Sequence, residues 1–297
     1  MKILLLGKNG QVGWELQRSL APLGELIALD RLGQAGLSGD LSDLQALRAT
    51  IRQVAPDVVV NAAAYTAVDK AESDTEMADR INAHASQVIA EEVASLGAWL
   101  IHYSTDYVFD GQGDAPWREA DQTAPLNYYG LSKLNGENAI IASGCRYLIF
   151  RTSWVYAARG NNFAKTMLRL AAERETLNVV SDQIGAPTGA DLIADVTALA
   201  LQKALRQPEL AGIYHLVAAG QTSWRQYASY VIDFARAHGE NVLVKSVAPV
   251  PSTSFPTPAR RPLNSRLDTQ KIRENFSLNL PEWEVGVTRM LMEVLNK

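Results

Sequence analysis

The chain has 297 residues, of which 47% are hydrophobic and 20% charged. That length suits roughly two domains of about 150 residues with ample core, and the apolar share excludes a mainly disordered chain. With 28 basic and 32 acidic residues the net charge is -4, which excludes a nucleic-acid binder relying on bulk positive charge but leaves room for a local basic pocket.

The N-terminal run at 3–6 is continuously apolar, as a strand buried on both faces requires. Residues 11–23 then carry helical spacing through Val12, Leu16 and Leu20. A second strand is expected at 26–29, a helix at 41–54 with Ser42 as N-cap, and a third strand at 58–60. An Ala-rich helix is expected at 75–96, ending at Gly97, then strands at 99–103 and 147–150 around a helix at 131–141. Short apolar strands separated by helices mean βαβ units. The fold class expected is therefore α/β, a Rossmann-like doubly wound parallel sheet.

After about residue 152 the pattern loosens. Helices are expected at 163–174, 192–205 and 224–237, and the segment 249–262, with five prolines, is expected as an ordered, partly extended loop. The domain division expected is 1–152 with about 189–215 for a dinucleotide, and about 153–188 with 216–297 for a smaller mixed α/β substrate domain. The single cysteine, Cys145, excludes an intramolecular disulfide, and four scattered histidines show no zinc-ligand spacing. No apolar stretch reaches the ~18–20 residues of a membrane span. The expectation is a cytoplasmic protein with no membrane or nucleic-acid partner.

Gly7, Gly10 and Gly13 form G-x-x-G-x-x-G between the first strand and the first helix. Glycines there let the backbone approach a pyrophosphate, and the helix N-terminus offers free N–H groups to it. Asp30 ends the second strand, where a carboxylate accepts the adenosine ribose hydroxyls and favours NADH. Arg31 follows and attracts a 2′-phosphate, so NADH and NADPH both stay open. Gly39 and Asp40 fall where a third strand unit is expected to begin, with Asp40 at the edge of the adenine.

Tyr129 and Lys133 are Y-x-x-x-K, which a helix brings to one face. A nearby ammonium lowers a phenol from its usual pKa of about 10 and tunes it as an acid/base. Tyr128 is the rival donor, but four residues on it meets Ser132. Ser104, Thr105 and Asp106 end the fourth strand, where ligands of open α/β sheets bind. Thr105, Tyr129 and Lys133 thus make a carbonyl-reduction set.

These motifs, with 61–65 (NAAAY) and 104–111 (STDYVFDG), resemble the extended short-chain dehydrogenase/reductase family. Further stretches at 66–72, 151–156, 161–163, 182–188 and 258–262 narrow the resemblance to its dTDP-4-dehydrorhamnose reductase branch, nearly end to end. The resemblance implies hydride delivery from NADH or NADPH to C4 of dTDP-4-dehydro-β-L-rhamnose, giving dTDP-L-rhamnose for surface polysaccharides. It implies Tyr129 as proton donor, Lys133 on the nicotinamide ribose, Thr105 on the carbonyl, Asp106 beside the sugar and Trp154 packed on its ring. Gly10, Gln11, Val12, Asp30, Gly39, Asp40, Ala63, Ala64, Tyr65 and Tyr103 are implied to line the cofactor. Arg260 and Arg261 suit a diphosphate, the alternative being a solvated basic pair. The family also implies a homodimer and magnesium, with Glu15, Asp191 and Glu293 as candidate ligands that are more simply surface acids. Rival readings are a nucleotide-sugar epimerase or dehydratase, and a non-catalytic subunit like the regulatory β-subunit of methionine adenosyltransferase.

Overall fold

The computed structural model describes residues 1–296; Lys297 lies outside the described residues. Six strands form one parallel sheet: β1 (Lys2–Leu6), β2 (Glu25–Leu29), β3 (Val58–Asn61), β4 (Trp99–Thr105), β5 (Arg146–Thr152) and β7 (Gly212–His215). Their order is β2-β1-β3-β4-β5-β7, so the strand order reverses between β1 and β3. That switch point opens a crevice beyond the carboxyl ends of the strands, which is where open α/β sheets take ligands.

Alternation along β1 shows why the strands read as apolar runs. Ile3 and Leu5 enter one core cluster, and Leu4 and Leu6 the other. Helices α1 (Gln11–Leu20) and α6 (Ala190–Arg206) cover the first face through Leu16, Leu20 and Leu201. Helices α2 (Leu44–Val54) and α3 (Ala85–Leu96) cover the second through Leu47, Ile51, Ile89 and Val93. Each buried aliphatic side chain contributes about 1.5–3 kcal/mol. Helix α4 (Tyr128–Ala142) adds Ile140 to the second face and carries the Y-x-x-x-K pair.

A third cluster lies in the later part of the chain. Helix α5 (Phe163–Glu173), β6 (Thr176–Val180), α7 (Trp224–Ala237), β8 (Ser246–Val250) and α9 (Trp283–Val294) converge on Met167, Val179, Tyr227, Trp283 and Leu291. A short helix, α8 (Gln270–Phe276), instead packs Ile272 and Phe276 into the first cluster. Among the described residues no helix is long and apolar enough to cross a membrane.

Three expectations need correction. No strand unit begins at Gly39 and Asp40; Asp40 accepts from the backbone and hydroxyl of Ser42, and this turn leads straight towards α2. The N-cap of α2 is Asp43, not Ser42, because its carboxylate reaches Ala46 N at 3.0 Å. The expected helix at 75–96 contains a π-helical turn at Arg80–His84. Pro249 does lie in a strand, β8, but β8 pairs only with β6, and such an edge tolerates a missing donor.

Candidate active site

The glycine loop works through close approach. Gly7 has φ +87°, and a Cβ on Gly13 would stand 2.0 Å from the Gly7 carbonyl oxygen. Gly7 itself lies against Ala63 across the switch point. Gly10 caps α1 without any side-chain acceptor, so the first N–H groups of α1 face an anion site unshielded. Next to this loop is a cavity of about 540 Å³, lined by Gly7, Gly10, Asp30, Arg31, Gly39, Asp40, Ala63, Ala64 and Tyr65 among others.

The other residues expected to line the cofactor lie elsewhere. Gln11 meets Asn162 at 3.5 Å, Val12 packs against the first core cluster, and Tyr103 turns its hydroxyl to Thr197 at 2.8 Å. Only the Tyr103 carbonyl turns to the catalytic helix, where it accepts from Lys133 Nζ at 2.6 Å.

Asp30 is engaged in the free chain. Its carboxylate accepts from Asn9 at 2.7 Å and from Leu32 N at 3.0 Å, with Lys8 Nζ 3.8 Å away. Arg31 extends into solvent and touches Asp40 only at 3.7 Å. The two cations, Lys8 and Arg31, therefore flank the carboxylate expected to choose between the two nicotinamide cofactors.

Of the three residues expected to act together, Thr105 and Tyr129 come close. Asn127 caps α4 by accepting from Gly130 N at 2.8 Å, and this fixes Tyr129 in the first turn. The Tyr129 phenol lies beside the Thr105 side chain and near the Asp106 carboxylate. Thr105 donates to Asp106 Oδ1 at 3.1 Å and accepts from Tyr107 N at 3.1 Å. Tyr128 instead donates its hydroxyl to Asp79, which leaves Tyr129 as the phenol at this site. The π-turn, unforeseen in the sequence, contributes Asn82: it accepts from Tyr65 N at 2.9 Å and donates to Ser132 Oγ at 2.9 Å, tying the cavity wall to α4.

The electrostatics differ from expectation. Loss of solvation, with the Asp106 charge adding to it, pushes the Tyr129 phenol up to about 12. No lowering by Lys133 enters, because Lys133 Nζ turns to the Tyr103 carbonyl and His102. Burial brings Lys133 down to about 8, against the pull of Glu137, and raises Asp106 to about 7, against the Ser265 and Thr105 hydroxyls. Asp106 Oδ2, Ser104 Oγ, Thr152 Oγ1 and Ser153 Oγ are buried without partners at or just beyond the carboxyl ends of β4 and β5. Orphaned oxygens of this kind are costly, and their clustering marks a place where a polar ligand completes the bonding.

Against this geometry the comparisons are specific. Residues 1–296 match the model of the family described as RmlD substrate binding domain. A dTDP-4-dehydrorhamnose reductase of Shigella flexneri is 58% identical over 99% of this chain and 98% of its own. The chain belongs to the dTDP-4-dehydrorhamnose reductase family. Two solved members agree: the reductase from Clostridium acetobutylicum, with TM-score 0.89 and 34% identity over 100% of both chains, and that from Bacillus anthracis in complex with NADP. The latter has TM-score 0.86 and 35% identity over 98% of this chain and 99% of that one. The protein is thus an oxidoreductase of this family.

In this family member a second, larger cavity of about 660 Å³ is walled by residues of the later part of the chain, with Tyr107 from the first half. Tyr107, Phe163, Gln183, Trp224, Arg260 and Arg261 are among its lining residues. Tyr107 meets Tyr129 edge to face at 5.8 Å, which links this cavity to Tyr129 and Thr105. The proline-rich segment is latched over it: Asn127 donates to Arg260 O at 2.7 Å, and Arg261 pairs with Asp69 at 2.7 Å. Arg261 is therefore not a free cation, whereas Arg260 is exposed.

Trp154 is not among the residues lining this cavity. It adopts φ +49° and stacks on Trp224 at 3.7 Å, and Trp224 is the indole that faces the space. Nothing in the sequence pattern singled out Trp224, because its helix reads as ordinary amphipathic spacing.

The magnesium expectation does not fit. Glu15, Asp191 and Glu293 do share the wall of a small cavity of about 50 Å³. Yet among the described residues no three acidic, histidine or cysteine side chains are grouped to hold a metal. Arginines occupy the acids instead: Arg289 meets Asp191 at 3.2 Å and Arg18 meets Glu15 at 3.6 Å.

Proposed function

We propose that this enzyme reduces the C4 keto group of dTDP-4-dehydro-β-L-rhamnose to dTDP-L-rhamnose, with NADPH or NADH in the 540 Å³ cavity and the sugar nucleotide in the 660 Å³ cavity. The domain division goes with this: 1–152 and about 189–215 hold the cofactor, while 153–188 and 216–297 hold the sugar nucleotide. The observation that carries the reading is the placement of the Tyr129 phenol beside the Thr105 hydroxyl, with unpartnered oxygens at the ends of β4 and β5.

Bound nicotinamide supplies the hydride. The residues of the chain do the rest. Thr105 holds the keto oxygen against Tyr129 by hydrogen bonding. Tyr129 gives its phenolic proton to that oxygen as negative charge develops there. A phenol pushed up to about 12 stays protonated at neutral pH and so has a proton to give. Lys133, an ammonium below pH 8, serves the nicotinamide ribose rather than the phenol, because its Nζ is turned to the Tyr103 carbonyl and His102. Arg260 and the α1 N-terminus take phosphates of the two nucleotides, and Trp224 offers a flat apolar wall. A cytoplasmic location and a homodimer complete the reading; the buried free thiol of Cys145 suits a reducing compartment.

The test is cofactor oxidation with enzymatically generated dTDP-4-dehydrorhamnose, with the UDP-linked sugar as control. Turnover of the dTDP sugar with either cofactor is expected. Silence with both sugars, despite measurable cofactor binding, would turn the reading to a non-catalytic binding subunit.

A further inference from the structure

Behind the catalytic lysine lies a chain of polar groups that the mechanism has not used. Asn61, His102 and Lys133 are 1%, 1% and 2% exposed. Asn61 closes β3 two residues before Ala63, which with Ala64 walls the cofactor cavity, His102 lies on β4, and Lys133 on α4. The contacts run in sequence. Asn61 Oδ1 accepts from Ala63 N at 3.2 Å. Asn61 Nδ2 lies 3.3 Å from His102 Nδ1. His102 Nε2 lies 3.3 Å from Lys133 Nζ, and Nζ donates to Tyr103 O at 2.6 Å.

Donor and acceptor rules order this chain. The Ala63 N–H fixes the Asn61 amide with its oxygen turned to the backbone. Its NH₂ group therefore faces the imidazole, and Nδ1 must accept. A neutral imidazole has one N–H, so that proton sits on Nε2 and points at Lys133. Desolvation keeps His102 neutral, well below its usual range. An N–H aimed at Nζ is satisfied by an amine lone pair and opposed by an ammonium.

We propose that Asn61 and His102 are positioning residues that fix the imidazole tautomer facing Lys133 and thereby loosen the third proton on Nζ. The remaining groups around Nζ do not supply this. Glu137, one turn on along α4, pulls the other way, and it is held by Arg151 of β5 at 2.6 Å. Tyr129 on the same helix is a neutral phenol, and Tyr103 of β4 offers only its carbonyl. Because Asn61 is fixed by Ala63 N, the wall of the cofactor cavity and the protonation of Lys133 are mechanically joined. This rests on the reductase reading only for the use made of Lys133.

Two measurements on the ligand-free protein test it, and neither needs turnover. Long-range proton–nitrogen spectroscopy of labelled histidine, assigned with His102→Gln, is expected to show His102 protonated at Nε2. Titration of isotope-labelled lysine, assigned with Lys133→Met, is expected to place Lys133 near pH 8. In Asn61→Ala the ring is released, Nε2 becomes an acceptor for the ammonium, and the titration is expected to rise by about one pH unit. Asn61→Asp, of the same shape, is expected to move the proton to Nδ1. A proton on Nδ1 in the wild type overturns the proposal without any variant. So does a Lys133 titration that stays in place in Asn61→Ala. If both readouts hold while no keto sugar is turned over, the reductase reading fails and the positioning chain stands.

Discussion

The two large cavities are built by different means. The 540 Å³ cavity lies at the switch point of one sheet, and its wall segments, apart from Ile81, follow on β1, β2 or β3 or precede α2. The 660 Å³ cavity is walled by side chains from segments far apart in sequence, from Tyr107 to Leu263, and is closed by a proline-rich segment latched onto Asp69 and Asn127. Backbone walls recognise what all dinucleotides share. Side-chain walls select among sugar nucleotides, and they can change without disturbing the sheet.

The largest effect is expected at Tyr129, which meets Tyr107 of the larger cavity. Tyr129→Phe removes the proton that the reduced oxygen needs. A loss of about 10²–10⁴ in kcat is expected, with cofactor affinity by fluorescence titration nearly unchanged. Near-normal turnover would remove Tyr129 from the chemistry and separate the cavities.

Lys133→Met tests the same junction through stability. Burial lowers Lys133 from 10.5 to about 8. A lysine whose folded-state value is depressed costs stability below that range. The cost is fully present at neutral pH and disappears as pH rises towards 10.5. Removing the charge is expected to abolish most turnover yet stabilise the ligand-free protein at pH 7 by about 1–2 kcal/mol, read as a raised Tm. The gain should shrink by pH 10. In the wild type, kcat/KM for reduction is expected to fall as pH rises through about 8, as the ammonium is lost.

Trp224→Ala addresses the side-chain wall alone. The indole faces the larger cavity and stacks on Trp154 at 3.7 Å. A rise of about tenfold in KM for the sugar nucleotide is expected, with the Kd of NAD(P)H unmoved. An equal change in both constants would show that the cavities are not independent.

This contrast also explains what the sequence made legible. Strands that alternate between two buried faces, as Ile3 to Leu6 do, leave continuous apolar runs, and the turn between β1 and α1 needs glycines at fixed offsets. The fold of the first half and the placing of Tyr129 and Lys133 one turn apart on α4 are local consequences of such rules. Trp224 and the Asn61–His102 chain are not, because they depend on which distant elements pack together. The direction of the Tyr129 shift was missed for the same reason. Helical spacing puts Lys133 on the right face, but a tertiary partner, the Tyr103 carbonyl, decides where its Nζ points.

Asp30→Ala carries the smallest expected effect and sharpens the comparison on the backbone side. The carboxylate ends β2 at the cavity rim, where it can accept from ribose hydroxyls and repels a 2′-phosphate. Lys8, 3.8 Å from it, is released to a phosphate once the carboxylate is gone, and the exposed Arg31, which touches Asp40 at 3.7 Å, lies next in the chain. NADH affinity is expected to fall about threefold to tenfold, while NADPH affinity holds or improves. The ratio of the two dissociation constants is the readout, because it cancels any general loosening of the loop that Asn9 and Leu32 N tie to Asp30. Equal losses for both cofactors would mean that Asp30 only braces this loop, and the choice of cofactor would then rest on Lys8 and Arg31.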